Sequence, residues 1–207
     1  MPECDIFPQM FLWFDSLCRR VHVLFGRIRF TLLGWVCGII SGGNCAFVGK
    51  TIVRVCRRGE IKLGRGVRFF SKFRLNTIGP ATPTVLSTVQ GGRIEIGDGS
   101  RFSSVFIASA KSVRIGRHVM AGANVKIFDT NFHSIDYEAR RTKVNDRDEF
   151  PRSVVIGDDV SIGVGSIITK GSHVGDRCVI AAGAVLCGLK APSDSVIFGN
   201  PAQVVQR

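Results

Sequence analysis

Acidic residues are scarce in this chain: 16 Asp and Glu stand against 28 Lys and Arg, a net charge of +12 at neutral pH. Between Lys50 and Arg74 a single acid, Glu60, is set among nine basic residues. Such a balance favours anionic partners such as CoA, an acidic lipid surface or nucleic acid. No nucleic-acid reading module accompanies the charge, so nucleic acid is set aside as a partner. CxxC pairs are missing too, and the seven cysteines are odd in number. That argues against a disulfide framework or a zinc site and for reduced thiols in a cytoplasm. No apolar run reaches the roughly twenty residues a bilayer span requires; the nearly uncharged stretch 30–40 has eleven. A cleaved signal peptide is not expected either, because Glu3 and Asp5 come first and basic residues follow only after the first apolar cluster.

Neither the helical period of 3.6 nor the strand period of 2 governs residues 154–190. Steps of six give Ile156, Ile162, Ile168, Val174, Ile180 and Leu186, each followed by a small or short residue: Gly157, Gly163, Thr169, Gly175, Ala181, Cys187. If each hexad forms one short strand and one turn, three hexads close a triangular coil, and stacked coils place the aliphatic residues in a continuous interior column. Glycine beside that column is expected to ease the bend at each corner. A β-sandwich supplies no reason for a fixed period. The expected fold class is therefore all-β, a parallel β-helix or hexapeptide solenoid, with an N-terminal amphipathic α-helix and an extruded loop.

The segment Val154-Val155-Ile156-Gly157-Asp158-Asp159-Val160-Ser161-Ile162-Gly163, the run Ile180-Ala181-Ala182-Gly183-Ala184-Val185 and the tail Phe198-Gly199-Asn200-Pro201-Ala202-Gln203-Val204-Val205 together resemble the hexapeptide-repeat acyltransferases. The likeness is to their sugar and polysaccharide O-acetyltransferase branch. It implies a left-handed parallel β-helix, a homotrimer and transfer of an acetyl group from acetyl-CoA.

Two parts are expected: an N-terminal apolar and helical segment, 1–45, and a β-helix domain, 46–207, with a loop at 129–152. In the first part Phe7, Phe11, Phe14, Leu17, Val21, Leu24 and Ile28 recur at three and four, with Asp15, Arg19, Arg20, His22 and Arg27 on the other side. This predicts an amphipathic helix that caps the solenoid's open end, the alternative being a helix lying in a membrane interface. Residues 76–92, rich in proline and glycine, are expected to form a loop or a loosely wound coil.

The hexads stop at Ile127 and resume at Ile156, so the polar segment between them must leave the stack. Acetyl transfer to a hydroxyl needs a base that works near neutrality, which histidine supplies. Of the four histidines, His133 alone sits in the inserted segment, and the resemblance places the catalytic histidine there. Asp129 and Asp136 are the candidate acids for orienting its ring. Asn131 is a candidate for holding the acceptor, and by resemblance the acceptor position falls near Ser103. The same resemblance assigns the acetyl-CoA groove to Gly163, Val164, Ala182, Gly183, Asn200 and Gln203. Basic residues that relatives carry in the last hexad and tail are replaced here by Cys187-Gly188, Gln203 and Gln206, with Lys190 and Arg207 as substitutes.

The leading function is an acetyl-CoA-dependent O-acetyltransferase in which a histidine base promotes direct attack by a hydroxyl of a sugar or polysaccharide. It would be cytoplasmic, with peripheral contact at the inner face of an anionic membrane, and would use no metal. Alternatives are a non-catalytic β-helix scaffold and a transferase for serine or an antibiotic hydroxyl; a β-helical carbonic anhydrase, which needs three histidines on zinc, is disfavoured because His118, His133 and His173 include no close ligand pair.

Overall fold

The computed structural model describes residues 6–72, 82–142, 146–147 and 150–206. Helix α1, Ile6–Cys37, is followed by strands that each belong to one of three sheets. The first coil contains β1 (Ile40–Ser41), β2 (Ala46–Gly49) and β3 (Thr51–Arg54), and the second β4 (Ile61–Leu63), β5 (Arg68–Ser71) and β6 (Thr84–Thr88). Next come β7 (Arg93–Ile96), β8 (Arg101–Ser103) and β9 (Phe106–Ser109), then β10 (Ser112–Ile115), β11 (Met120–Ala121) and β12 (Lys126–Phe128). After a loop carrying the short helix α2 (Tyr137–Thr142), winding resumes with β13 (Val154–Ile156), β14 (Ser161–Ile162) and β15 (Ile167–Ile168). The last coils hold β16 (His173–Val174), β17 (Val179–Ile180), β18 (Val185–Leu186), β19 (Lys190–Ala191) and β20 (Ser195–Phe198), and β21 (Gln203–Gln206) folds back antiparallel on β20. Every third strand pairs in parallel, giving sheets of seven, eight and six strands among the described residues. The architecture is a left-handed parallel β-helix with an N-terminal helix.

Inward side chains in matching register build the core, two from strands such as β4, β7, β10 and β13 and one from the shorter strands of the later coils. In the six-stranded sheet Leu86, Ile107, Ile127, Ile168 and Leu186 stand in register, all fully buried. In the eight-stranded sheet the early coils use phenylalanine where the later ones use isoleucine. Phe47, Phe69 and Phe102 stack at centroid distances of 5.3 and 5.1 Å, ahead of Ala121, Ile162, Ile180 and Ile197.

The glycines after the aliphatic residues have a different role from the one expected. Gly116 and Gly157 do not adopt the left-handed backbone. A Cβ on Gly116 would lie 2.5 Å from the carbonyl carbon of Gly157, and one on Gly157 2.7 Å from the amide nitrogen of Asp176. These glycines let successive coils approach. The bend itself is made two residues later by His118, Asp159 and Arg177, with φ of 55°, 56° and 56°. The aspartates of the Gly-Asp pairs tie coil to coil: Asp158 accepts from the Arg117 amide at 2.8 Å and Asp176 from the Asp158 amide at 2.8 Å.

The solenoid begins at Ile40, inside the segment expected at 1–45, because β1 already pairs with β4. Residues 84–88 are strand β6, not loop, and residues 73–81 lie outside the described residues. Helix α1 closes the open end. Gly26 is buried against β2, where a Cβ would stand 2.9 Å from Val48 Cγ2, and the Phe30 ring meets Phe47 edge-on at 5.2 Å, extending the phenylalanine column. Among the described residues no helix is long and apolar enough to cross a membrane.

Candidate active site

The chain leaves the stack at the end of β12, and Asp129 fixes the point of exit. Its fully buried carboxylate accepts from the Ser109 hydroxyl at 2.8 Å and from the amides of Ala110, Lys111 and Ser112 at 2.6, 2.9 and 2.6 Å. The Arg152 amide donates to the Asp129 carbonyl at 3.0 Å, so the loop's two ends are tied where it leaves and rejoins the stack. With its oxygens occupied by this turn, Asp129 does not reach the histidine. Asp136 does not reach it either: it caps α2, accepting from the amides of Glu138 and Ala139 at 3.1 and 3.3 Å. Neither expected acid orients the ring.

Asp146 takes that place. Its Oδ2 lies 2.9 Å from His133 Nδ1, and its Oδ1 is buried with no partner among the described atoms. An ionised carboxylate only accepts, so this contact suits the ring tautomer in which Nδ1 donates to Asp146 and Nε2 is the nitrogen left to act as a base. The segment ahead of the histidine is also held. Phe132 adopts φ of 66°, its amide donates to Thr130 Oγ1 at 3.0 Å, and its ring packs on Phe128 and Phe106 at 5.8 and 6.3 Å. The imidazole itself remains open, with its side chain 66 % exposed.

Beside this segment is an open cavity of about 600 Å³ that shares Thr130 and Phe132 with it and is otherwise lined by Arg57, Arg147, Cys56 and the turn 89–91. Asn131 lies exposed next to it, in the same segment. Sequence reasoning missed Asp146, Arg57 and Arg147, and only the charge excess at 50–74 pointed towards any of them.

The expected donor residues collect elsewhere. Gly163-Val164 and Ala182-Gly183 stack at the corner between the eight- and six-stranded sheets, where the Gly183 amide donates to the Val164 carbonyl at 2.9 Å. Asn200 follows one coil on, and Gln203 begins β21 at the same end. A Cβ on Gly163 would fall 2.3 Å from the Ala182 amide nitrogen, so this glycine lets successive coils approach, while Gly183, with φ of 71°, has open space where a side chain would stand. Ser103 ends β8 at that corner too, just ahead of β9. Lys190 points out from the seven-stranded sheet and does not join the donor corner, and Arg207 lies outside the described residues. His118 occupies a corner, His173 a strand and His133 the loop; among the described residues no group of side chains is arranged to hold a metal.

The family described as bacterial transferase hexapeptide (six repeats) matches residues 153–188. A putative acetyltransferase of Saccharomyces cerevisiae is 38 % identical over 119 residues, 56 % of this chain and 57 % of the relative. The galactoside O-acetyltransferase of Lactococcus lactis is 32 % identical over 93 residues, 45 % of this chain and 42 % of the relative. The chain therefore spans about half the length of the curated relatives it matches. Among solved structures, a hexapeptide-repeat acetyltransferase of Vibrio cholerae complexed with acetyl-CoA has the same fold. Its TM-score is 0.54 at 22 % identity, over 93 % of this chain and 85 % of that one.

Proposed function

We propose that this chain is an acetyl-CoA-dependent O-acetyltransferase acting on a hydroxyl of a sugar or polysaccharide. The observation that carries the reading is the His133–Asp146 pair, held on a loop that leaves hexapeptide coils beside an open cavity. His133 Nε2 takes the acceptor hydroxyl proton as the oxygen attacks the thioester carbonyl. Asp146 fixes the ring and stabilises the imidazolium. The tetrahedral adduct collapses with release of CoA thiolate, which recovers the proton from the imidazolium, leaving an acetyl ester and CoA thiol. The open space at Gly183, beside the small residue Ala182, suits a pantetheine arm lying against backbone. The galactoside O-acetyltransferase likeness and the acetyl-CoA complex of the similar fold support the same donor and acceptor classes.

In one chain the donor corner and the exit of the His133 loop lie at opposite ends of the strands of the six-stranded sheet. A homotrimer that sets the loop of one subunit against the donor corner of the next would complete the site. Arg57 and Arg147 on the cavity wall favour an acceptor bearing negative charge.

The test is thiol release from acetyl-CoA with a panel of neutral and acidic sugars. His133→Ala is expected to lower kcat by about 10²- to 10⁴-fold, the range of a lost general base. Asp146→Asn should lower kcat by a smaller factor and leave KM for acetyl-CoA unchanged. Full activity in His133→Ala would overturn the assignment, and absence of thiol release by the wild type with every acceptor would favour a non-catalytic scaffold.

A further inference from the structure

Helix α1 has two apolar faces, and the solenoid uses only one. Gly26, Phe30 and Leu33 turn towards the first coil. On the opposite side Val21, Leu24, Phe25, Ile28, Leu32 and Trp35 recur at spacings of three, one, three, four and three residues, which keeps them on one stripe. They are left in solvent: Trp35 is 76 %, Phe25 66 % and Leu32 64 % exposed. Capping the solenoid explains the inner face and leaves this stripe without a role, since a surface helix would ordinarily be polar there.

The flanks of the stripe show what covers it. Arg20 and Arg27 border it on one side and Arg29 on the other, all exposed. No acid occurs anywhere from residue 16 to residue 59, while Arg19, Lys50, Arg54, Arg57 and Arg58 add to the positive charge of the same end. A second copy of the chain docking through the same face would bring arginine rows together, with no carboxylate between residues 16 and 59 of either copy to meet them. An anionic lipid surface meets both requirements: acyl chains receive the apolar stripe, and headgroup phosphates receive guanidiniums that reach outward on long apolar stems. We propose that the outer face of α1, from Arg20 to Val36, is an interfacial docking surface for anionic membranes, with the helix lying in the membrane plane. Arg58 steadies its end, donating from Nη2 to the Trp35 carbonyl at 2.8 Å.

The test is co-sedimentation of the full chain with vesicles of phosphatidylcholine alone and with phosphatidylglycerol added. Binding is expected only to the anionic vesicles and should weaken as salt is raised. Two double variants change exposed side chains and should melt like the wild type: Leu32→Ser with Trp35→Ser, and Arg20→Glu with Arg27→Glu. Each should lower the partition coefficient by about tenfold or more. In a Trp13→Phe background, Trp35 emission should shift to the blue on adding anionic vesicles. Absence of binding, equal binding to neutral and anionic vesicles, or unchanged binding in both variants would overturn the proposal. So would a fall in oligomeric mass in the Leu32→Ser/Trp35→Ser variant, which would assign the stripe to a second copy. The readout is lipid binding, so its failure leaves the acetyl-transfer reading untouched.

Discussion

Asp129 and His133 are four residues apart and do opposite kinds of work. The aspartate turns inward and fastens the loop to the preceding coil through four hydrogen bonds; the histidine turns outward and keeps one nitrogen open. A second buried carboxylate, Glu60, plays a fastening part at the first coils, accepting from the Thr88 hydroxyl and from the Cys56 amide at 3.0 Å. Burial pushes its carboxyl up, but the hydrogen bonds from Thr88 and from the Arg57 and Cys56 amides outweigh it and hold the group below the ordinary carboxylate value. A carboxyl lowered on folding stabilises the protein fully above its unfolded value, near 4.3, and that stabilisation is lost as pH falls through the folded value. Denaturant unfolding from neutrality into acid should therefore show the wild type losing stability below about pH 4 more steeply than Glu60→Gln. Parallel curves would show that Glu60 is not the group responsible.

At the scale of the coil, two kinds of glycine make separable predictions. Gly116 faces the Gly157 carbonyl carbon one coil on, at 2.5 Å from an added Cβ, so Gly116→Ala must push coils apart and should cost about 1–3 kcal/mol. Gly66 has open space around it but φ of 72°, so Gly66→Ala should cost only the left-handed backbone term, about 1 kcal/mol. Urea midpoints of the two variants distinguish packing from backbone strain; the reverse order would mean that the coils can yield. The phenylalanine column belongs to this scale as well. Phe47, Phe69 and Phe102 fill the wide early coils that the hexad pattern does not describe, and Phe30 joins them from α1.

Across the whole molecule, the decisive geometry is that the chain leaves the stack after β12, while the donor corner precedes β15 and β18 at the other end of the same sheet's strands. If subunits share the site, a His133→Ala chain and an Ala182→Trp chain should each be inactive alone. Refolded together they should regain measurable thiol release, because some mixed contacts pair an intact loop with an intact corner. Persistent inactivity of the mixture, with native mass showing mixed trimers, would place the whole site in one chain.

The period of six determined a great deal without help, since a repeat that recurs through stacked coils records its own packing: the inward residues from Ile156 to Leu186 are the buried ones. It also marked the interruption, and with it His133, because whatever breaks the period has to leave the stack. The partner of His133 was not legible. Asp146 stands thirteen residues away in an aperiodic loop, where position in sequence carries no information about direction, and only closure of the loop brings it to Nδ1. Asp129, four residues before the histidine, was captured by the turn at residues 109–112, a contact between coils that no local pattern announces. The helical spacing of α1 was equally plain in the sequence. Which stripe meets the core and which is left outside was decided by Gly26, where the missing side chain lets the helix settle on β2.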